Sequence, residues 1–354
     1  MSLDSYSLSR GLFIERTYLE KSTFELGNHS HKDKCVSCFG KTMVTTEYVI
    51  FYICAILAVI VTVFGNLLVI ISVCHFKQLH TPTNVLLLSL AVADFMVGMF
   101  VMPLGFIWMI EACWFFGTSM CAFLNFFAFQ LTTCSVHNVA LIAVDRYLAL
   151  SNPFLYTKQI TVKIAVIAVL FTWAVSVGYN SSLLYYNGFF TTSLALCPSE
   201  CPVAVSEIWS WVDFVVVFAL PCSIMFILYL KIFAIARKHA TAIRAANNNQ
   251  ANVNGSKNEN MPKRSERKAA KVLGILVVVF LLCVVPYYTA SVMAEFIYGQ
   301  AFEDALNYTS LILYLNSLFN PIIYALFYPW FQKSIKLILR CRICTSESSL
   351  MQLK

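Results

Sequence analysis

Asp213 lies inside WSWVDFVVVFALP, a stretch too apolar for a surface loop and part of a segment long enough to cross a bilayer. A carboxylate at the centre of such a segment costs about 2.5–3.5 kcal/mol on insertion scales, so its presence marks a candidate functional site. A buried carboxylate calls for a cation, yet no Lys or Arg occurs between Lys163 and Lys231. That gap points to a cation arriving from outside, such as a ligand amine. Two other polar groups stand among apolar residues. Asp94 can share a polar core with Asn66, Asn316 and Asn320, a set able to hold a hydrated Na⁺ or to knit helices together. Asp145-Arg146-Tyr147 closes another apolar stretch. Arg146 can pair with Asp145 or reach Glu266 at the inner start of a later span, and exchange between such pairs makes a bistable element.

The elements that position these groups are membrane spans. The chain of 354 residues is 59% hydrophobic and 12% charged, with mean hydropathy +0.72. A soluble domain is nearer 45–50% apolar and 25% charged, so this is an integral membrane protein. The net charge of +7 does not point to nucleic acid, because the basic residues flank apolar segments. Seven segments meet the requirement of about 20 residues for a spanning helix: roughly 48–74, 83–108, 118–144, 161–185, 207–232, 269–298 and 305–328. The expected fold is an all-α membrane protein, a seven-helix bundle followed by a short amphipathic eighth helix. Residues 1–47 form an outer segment without a signal-peptide core. The bundle occupies 48–328, with a flexible cytoplasmic loop at 239–266, and 329–354 hold the amphipathic helix and tail.

Basic residues set the orientation. Lys77, Lys158, Lys163, Arg237, Lys238, Arg244, Lys263, Arg264, Arg267 and Lys268 lie in or beside the loops after spans one, three and five. The loops after spans two, four and six hold no Lys or Arg and carry acids, including Glu111, Glu200, Glu207, Glu295, Glu303 and Asp304. The N-terminus is therefore expected outside and the tail in the cytosol, at the plasma membrane. Cys35, Cys38, Cys113, Cys121, Cys197 and Cys201 fall on the outer side, where they can oxidise. Asn28-His-Ser30 is a glycosylation sequon on that side. Asn180-Ser-Ser182 lies close to the membrane. Cys341 and Cys344, in LRCRIC just past the last span, suit reversible acylation or remain free thiols. Pro221, Pro286 and Pro321 permit kinks in spans five to seven. No nucleophile triad, P-loop, zinc-spaced cluster or transporter-type repeat is present, so an enzyme or a transporter is not expected.

The pieces Gly65-Asn66, Asp94, Cys121, Asp145-Arg146-Tyr147, Trp173, Pro221 with Tyr229, Phe280 with Cys283 and Pro286, and Asn320-Pro321-Ile322-Ile323-Tyr324 together resemble the rhodopsin-like G protein-coupled receptors over about residues 48–344. The run from Asn316 to Phe331, His80-Thr-Pro-Thr-Asn84 and Cys197-Pro-Ser-Glu-Cys201 are similar to the trace amine-associated receptors. That resemblance implies an amine ligand, a heterotrimeric G protein of the Gs/Golf type, cAMP as the signal and an olfactory setting. It implies a Cys121–Cys201 bridge, and a second bridge from Cys197 to Cys35 or Cys38. It places Phe129, Tyr287, Tyr288 and Tyr314 toward a ligand pocket; Thr132 gives a further polar contact there or is a satisfied helix hydroxyl. It gives Tyr229, Phe280, Pro321 and Tyr324 parts in activation.

The chain departs from the usual aminergic pattern twice. Where an amine-binding Asp is usual, eighteen residues before Arg146, Ala128 stands; where a Trp is usual, two residues before Pro286, Val284 stands. Asp213, eight residues before Pro221 and so about 12 Å nearer the outside, answers the first departure. Some fish-type members of the family are similar in carrying an Asp there. Glu111, Glu207 and Glu295 near the outer mouth allow a second ammonium, or form a solvated acidic rim. The rival expectations are a serotonin-like biogenic-amine receptor, and a receptor of a non-amine ligand in which Asp213 is structural.

Overall fold

The computed structural model describes residues 45–111, 113–188, 201, 205–249, 264–294, 296 and 300–340; within the helices, the side chains of 45, 239, 240, 242–249, 264–271, 294 and 300–304 are outside the description. Seven helices are long and apolar enough to span a membrane: Thr46–His75, Pro82–Glu111, Gly117–Ser151, Val162–Tyr186, Glu207–Lys238, Val272–Met293 and Ala305–Phe327. Their bounds follow the expected segments within a few residues, except that spans three and five run about two turns further into the inner side. The helix of span five continues to Asn249, so the first turns of the segment expected to be a flexible loop are helical. The remainder of that loop, 250–263, lies outside the described residues.

Span three is the central post. It packs against spans two, four, five and six, and seventeen of its residues are buried, Asn125, Gln130, Ser135 and Asn138 among them. The inner half of the core gathers Leu87, Leu90, Val136, Ile142, Met225, Leu276, Phe280 and Tyr324. The outer half gathers Val101, Met102, Phe106, Trp114 and Leu131 around Cys121 and Cys201. Large apolar side chains point outward along the spans, such as Phe64, Phe171, Phe226 and Leu282. That pattern suits a hydrocarbon solvent, in which only structures with internally satisfied backbones can cross.

Local chemistry sets the helix starts. Thr81 Oγ1 accepts from the Asn84 N–H at 3.3 Å, and Asn152 Oδ1 accepts from the Leu155 N–H at 3.4 Å. Each cap precedes a proline, Pro82 or Pro153, at the first helical turn, where a missing N–H removes no helical bond. Pro329 opens the closing helix, Pro329–Leu339. Phe331 and Ser334 are its buried side, and Trp330 and Leu337 pack on Phe76 and Leu79 below span one.

Span five makes a π-helical turn at Phe214–Ala219, between Asp213 and Pro221. Pro221 has no N–H to give the carbonyl four residues back, and the ladder is re-registered there, whereas Pro286 and Pro321 lie inside helices that stay α-helical. Span two makes a similar turn at Val97–Val101, just past Asp94 and before Pro103. Both turns lie beside the buried acids.

Gly65 is where spans one and seven touch. A Cβ at that position would lie 2.8 Å from Cβ and Cγ of Pro321. Gly65→Ala should therefore force the two spans apart, an overpacking of about 1–3 kcal/mol. We expect a lower melting temperature of the purified protein and fewer molecules at the cell surface; an unchanged melting temperature would show that the contact yields freely.

Candidate functional site

Asp213 ends the first straight segment of span five and is buried, 9% exposed. Tyr179 of span four donates to its Oδ1 at 3.1 Å, and Tyr288 of span six is a second hydrogen-bond partner. Aromatic rings surround this group. Tyr288 stacks on Phe218 with centroids 4.7 Å apart, Tyr287 meets Tyr288 edge to face at 5.3 Å, and Trp209 lies against Tyr179 at 6.4 Å. Among the described residues the recorded ion pair is Arg146–Asp145, and Asp213 has no basic partner. The arrangement is a carboxylate held by neutral hydroxyls in an aromatic setting. A cation entering it would gain a charge-assisted bond and faces of aromatic rings.

Of the residues expected around a ligand, Tyr288 joins Asp213 directly and Tyr287 lies beside it. Tyr314 and Thr132 instead line a small cavity below Val284, together with Ser135, Phe280 and Asn316. Phe129 is half-buried on span three and is not among the residues that line this cavity. Ala128 packs with the outer core. Tyr179 was not expected from the sequence. Its one signal there is that it is a polar side chain within an apolar span, beside Asn180. We expect Tyr179→Phe, which keeps the ring and removes one hydroxyl, to change the affinity of a cation for the Asp213 site by about tenfold or more, as loss of one hydrogen bond to a charged group would; binding curves at matched surface expression check this.

Asp94 is bonded by Ser317, which was not expected, and by Asn320: Ser317 donates to Oδ1 at 2.8 Å and Asn320 to Oδ2 at 2.7 Å. Asn66 donates to the carbonyls of Thr62 at 2.9 Å and Ser317 at 3.0 Å. Asn66 Oδ1, Ser135 Oγ, Asn316 Oδ1 and Asn320 Oδ1 are buried without a hydrogen-bond partner. Such oxygens leave the cluster with spare acceptors.

At the inner end, Arg146 is held on span three. Its Nε donates to Asp145 Oδ2 at 2.9 Å, and its Nη2 lies against Asp145 and Thr83. Thr83 donates to Asp145 Oδ2 at 2.8 Å, and Tyr156 donates to Oδ1 at 2.7 Å. Burial and then the Asp145 charge raise the Tyr156 pKa, so the phenol remains a donor. Thr83 and Tyr156 were not expected. The side chain of Glu266, the alternative partner, lies outside the described residues. Tyr147 meets Lys231, whose Nζ is 5.7 Å from the ring centroid. The hydroxyls of Tyr229 and Tyr324 are buried without partners. Phe280 is buried with Val136 and Val284 in the inner core, and Pro321 sits inside span seven.

Cys121 and Cys201 form a disulfide, with the Asn125 amide 3.5 and 3.7 Å from the two sulfurs. Cys113 is also disulfide-bonded. Cys35, Cys38, Cys197, Asn28, Cys341, Cys344 and Glu295 lie outside the described residues. Asn180 is fully buried and donates to Gln130 at 3.2 Å and Thr133 at 3.2 Å, which puts the asparagine of this sequon inside the bundle. Glu111 accepts from Tyr52 at 2.5 Å and Tyr48 at 3.1 Å, joining spans one and two, while Glu207 is exposed at the start of span five.

The family model for seven-transmembrane receptors of the rhodopsin family matches residues 65–324. The chain is 40% identical over 322 residues to trace amine-associated receptor 13c of Danio rerio, covering 88% of this chain and 92% of the relative. It is 39% identical over 352 residues to trace amine-associated receptor 7f of Mus musculus, covering 98% and 97%. It is 36% identical over 356 residues to trace amine-associated receptor 7c of Rattus norvegicus, covering 99% and 98%. The chain thus belongs to the rhodopsin family of seven-transmembrane receptors and, within it, to the trace amine-associated receptors. It is a multi-pass plasma-membrane receptor, not an enzyme, and such a receptor works with a small-molecule ligand and a heterotrimeric G protein.

Proposed function

We propose that the ligand is an amine and that its ammonium pairs with Asp213. The observation that carries this reading is the carboxylate itself: buried, ringed by Tyr179, Tyr287 and Tyr288, and without a basic partner among the described residues. The amine enters from the outer side, the N-terminus being extracellular. Its binding shifts the bundle toward a state in which span six swings outward. Arg146 then leaves Asp145, and Tyr229 and Tyr324 take new partners at the inner face. The G protein is of the Gs/Golf type, the signal is cAMP and the setting is olfactory. Asn28 carries a glycan, and Cys341 or Cys344 an acyl chain. A sodium ion fits the Asp94 cluster, where Asp94, Ser135 and Asn316 supply the hard oxygen ligands that such an ion takes; the unpartnered oxygens of Ser135 and Asn316 support this fit.

A second reading has Asp213 as a structural acceptor, and the Tyr179 bond favours it. A cAMP reporter screen of mono-, di- and polyamines separates the two, comparing wild type with Asp213→Asn at matched surface expression. An amine response lost only in the variant supports the counter-ion reading. A response that survives in the variant makes Asp213 structural.

A further inference from the structure

Three spans meet at one carboxylate. Span five supplies Asp213, span four Tyr179 and span six Tyr288. Both phenols donate to the carboxylate, Tyr179 to Oδ1 at 3.1 Å. A phenol has one hydrogen to give and keeps lone pairs on its oxygen. Each hydroxyl that turns its hydrogen to Asp213 therefore holds an acceptor oxygen beside it. A carboxylate has about four lone-pair positions, so two phenol donors leave it able to accept more. A group seated on Asp213 thus meets acceptors of three kinds of origin: the carboxylate, the Tyr179 oxygen and the Tyr288 oxygen. Among the described residues Asp213 has no basic partner to take them.

The rings that carry these oxygens are held by other rings. Tyr288 is 4% exposed and lies flat on Phe218, with centroids 4.7 Å and planes 10° apart, and Tyr287 meets it edge to face at 5.3 Å. Tyr179 meets Trp209 at 6.4 Å, and Trp209 is itself stacked on Tyr186 at 5.7 Å. One face of Tyr288 and one of Trp209 are thus covered. An aromatic cage for a methylated ammonium works through open ring faces; here it is the hydroxyls that these residues turn to Asp213. We propose that the site is selective for primary amines, the three N–H groups of the ammonium being shared among Asp213, Tyr179 and Tyr288. This rests on the reading that the ammonium sits on Asp213. A secondary ammonium has two N–H groups and a tertiary one has one, so each N-methyl removes a bond. A site built to hydrogen-bond a donor rejects the analogue that lacks it, because its buried acceptors are left unpaired. Tyr179 and Tyr288 are then the specificity-determining residues.

The test uses full-length receptor in membranes and the amines pentylamine, 2-phenylethylamine and tryptamine, each with its N-methyl and N,N-dimethyl derivatives. On a skeleton that binds, affinity should fall about tenfold for each N–H replaced, the size of one hydrogen bond to a charged group. Tyr179→Phe and Tyr288→Phe keep the rings and remove one acceptor each. Each should cut the preference for primary over tertiary amine about tenfold, and the double variant should bring it within about threefold. A merely structural role for the two hydroxyls would shift all three members alike and leave the preference standing. Equal affinity across the series, affinity that rises with methylation as in an aromatic cage, or a preference that survives in the double variant overturns the proposal. Asp213→Asn separates the two readings. Binding lost in that variant, with a flat series in the parent, leaves the counter-ion reading standing and sinks the selectivity. Binding intact in that variant sinks the counter-ion reading, and the selectivity with it. Should none of the three skeletons bind, the bare headgroups give an independent arm: methylamine should raise the melting temperature of the purified receptor and trimethylamine at the same concentration should not. No rise with methylamine, or an equal rise with both, overturns the proposal.

Discussion

Asp213→Asn should lower the affinity for a primary amine by about 100-fold or more. The substitution keeps shape and hydrogen-bonding capacity and removes only the charge, so the loss isolates the ion pair. Truncating a desolvated, hydrogen-bonded charge pair costs about 2–5 kcal/mol, and each 1.4 kcal/mol is a factor of ten. The upper part of that range applies where both partners are shielded, and Asp213 is 9% exposed among aromatic rings. In the unliganded receptor the same change replaces an anion that accepts from Tyr179 and Tyr288 by an amide that can still accept. Folding should thus suffer little, and surface expression of the variant should stay close to wild type. Competition binding and dose–response curves both check the expectation. A drop below tenfold would be too small for a desolvated ion pair.

Asp145→Asn should act at the other end of the bundle and in the opposite sense, raising signalling in the absence of ligand. Asp145 gathers Arg146, Thr83 and Tyr156, and hydrogen bonds to charged groups contribute about 1.5–3 kcal/mol each. Loss of one such bond from the resting state alone shifts a two-state equilibrium about tenfold or more. On the proposed Gs/Golf coupling, agonist-free cAMP at matched surface expression should rise several-fold. Thermal stability should fall, because breaking a buried pair leaves an uncompensated charge. Tyr156→Phe removes one neutral donor and should give a smaller rise in the same direction. Basal signalling at or below the wild-type level in both variants would mean that this cluster is not a restraint on the active state.

The parts of the molecule that the bilayer dictates were legible in the sequence. A span must be apolar for about 20 residues, and the seven segments stand where that rule puts them. Asp94 with Asn320, Arg146 with Asp145, and Asp213 itself were visible because a polar group in such a segment has few reasons to be there. Their partners were less visible. Tyr179 reaches Asp213 from 34 positions away, and Thr83 reaches Asp145 from 62; such meetings depend on how each helix is rotated about its axis. Ser89, Asn138 and Trp173, which link spans two, three and four at 2.9 and 3.0 Å, are a similar case, in which Trp173 alone was singled out. The π-helical turn beside Asp213 depends on how the ladder closes around Pro221, for which no local composition codes. The helix running to Asn249 extended into a polar stretch because it continues an apolar span already formed, and elongation is easier than nucleation.

The most direct test of the Asp213 assignment is equilibrium binding of a primary amine and of its isosteric alcohol to purified wild-type receptor and to Asp213→Asn. The account predicts that wild type prefers the amine by about 100-fold or more and that the preference collapses in the variant while alcohol binding is nearly unchanged. A preference for the amine that persists undiminished in Asp213→Asn would place the ammonium elsewhere and contradict it.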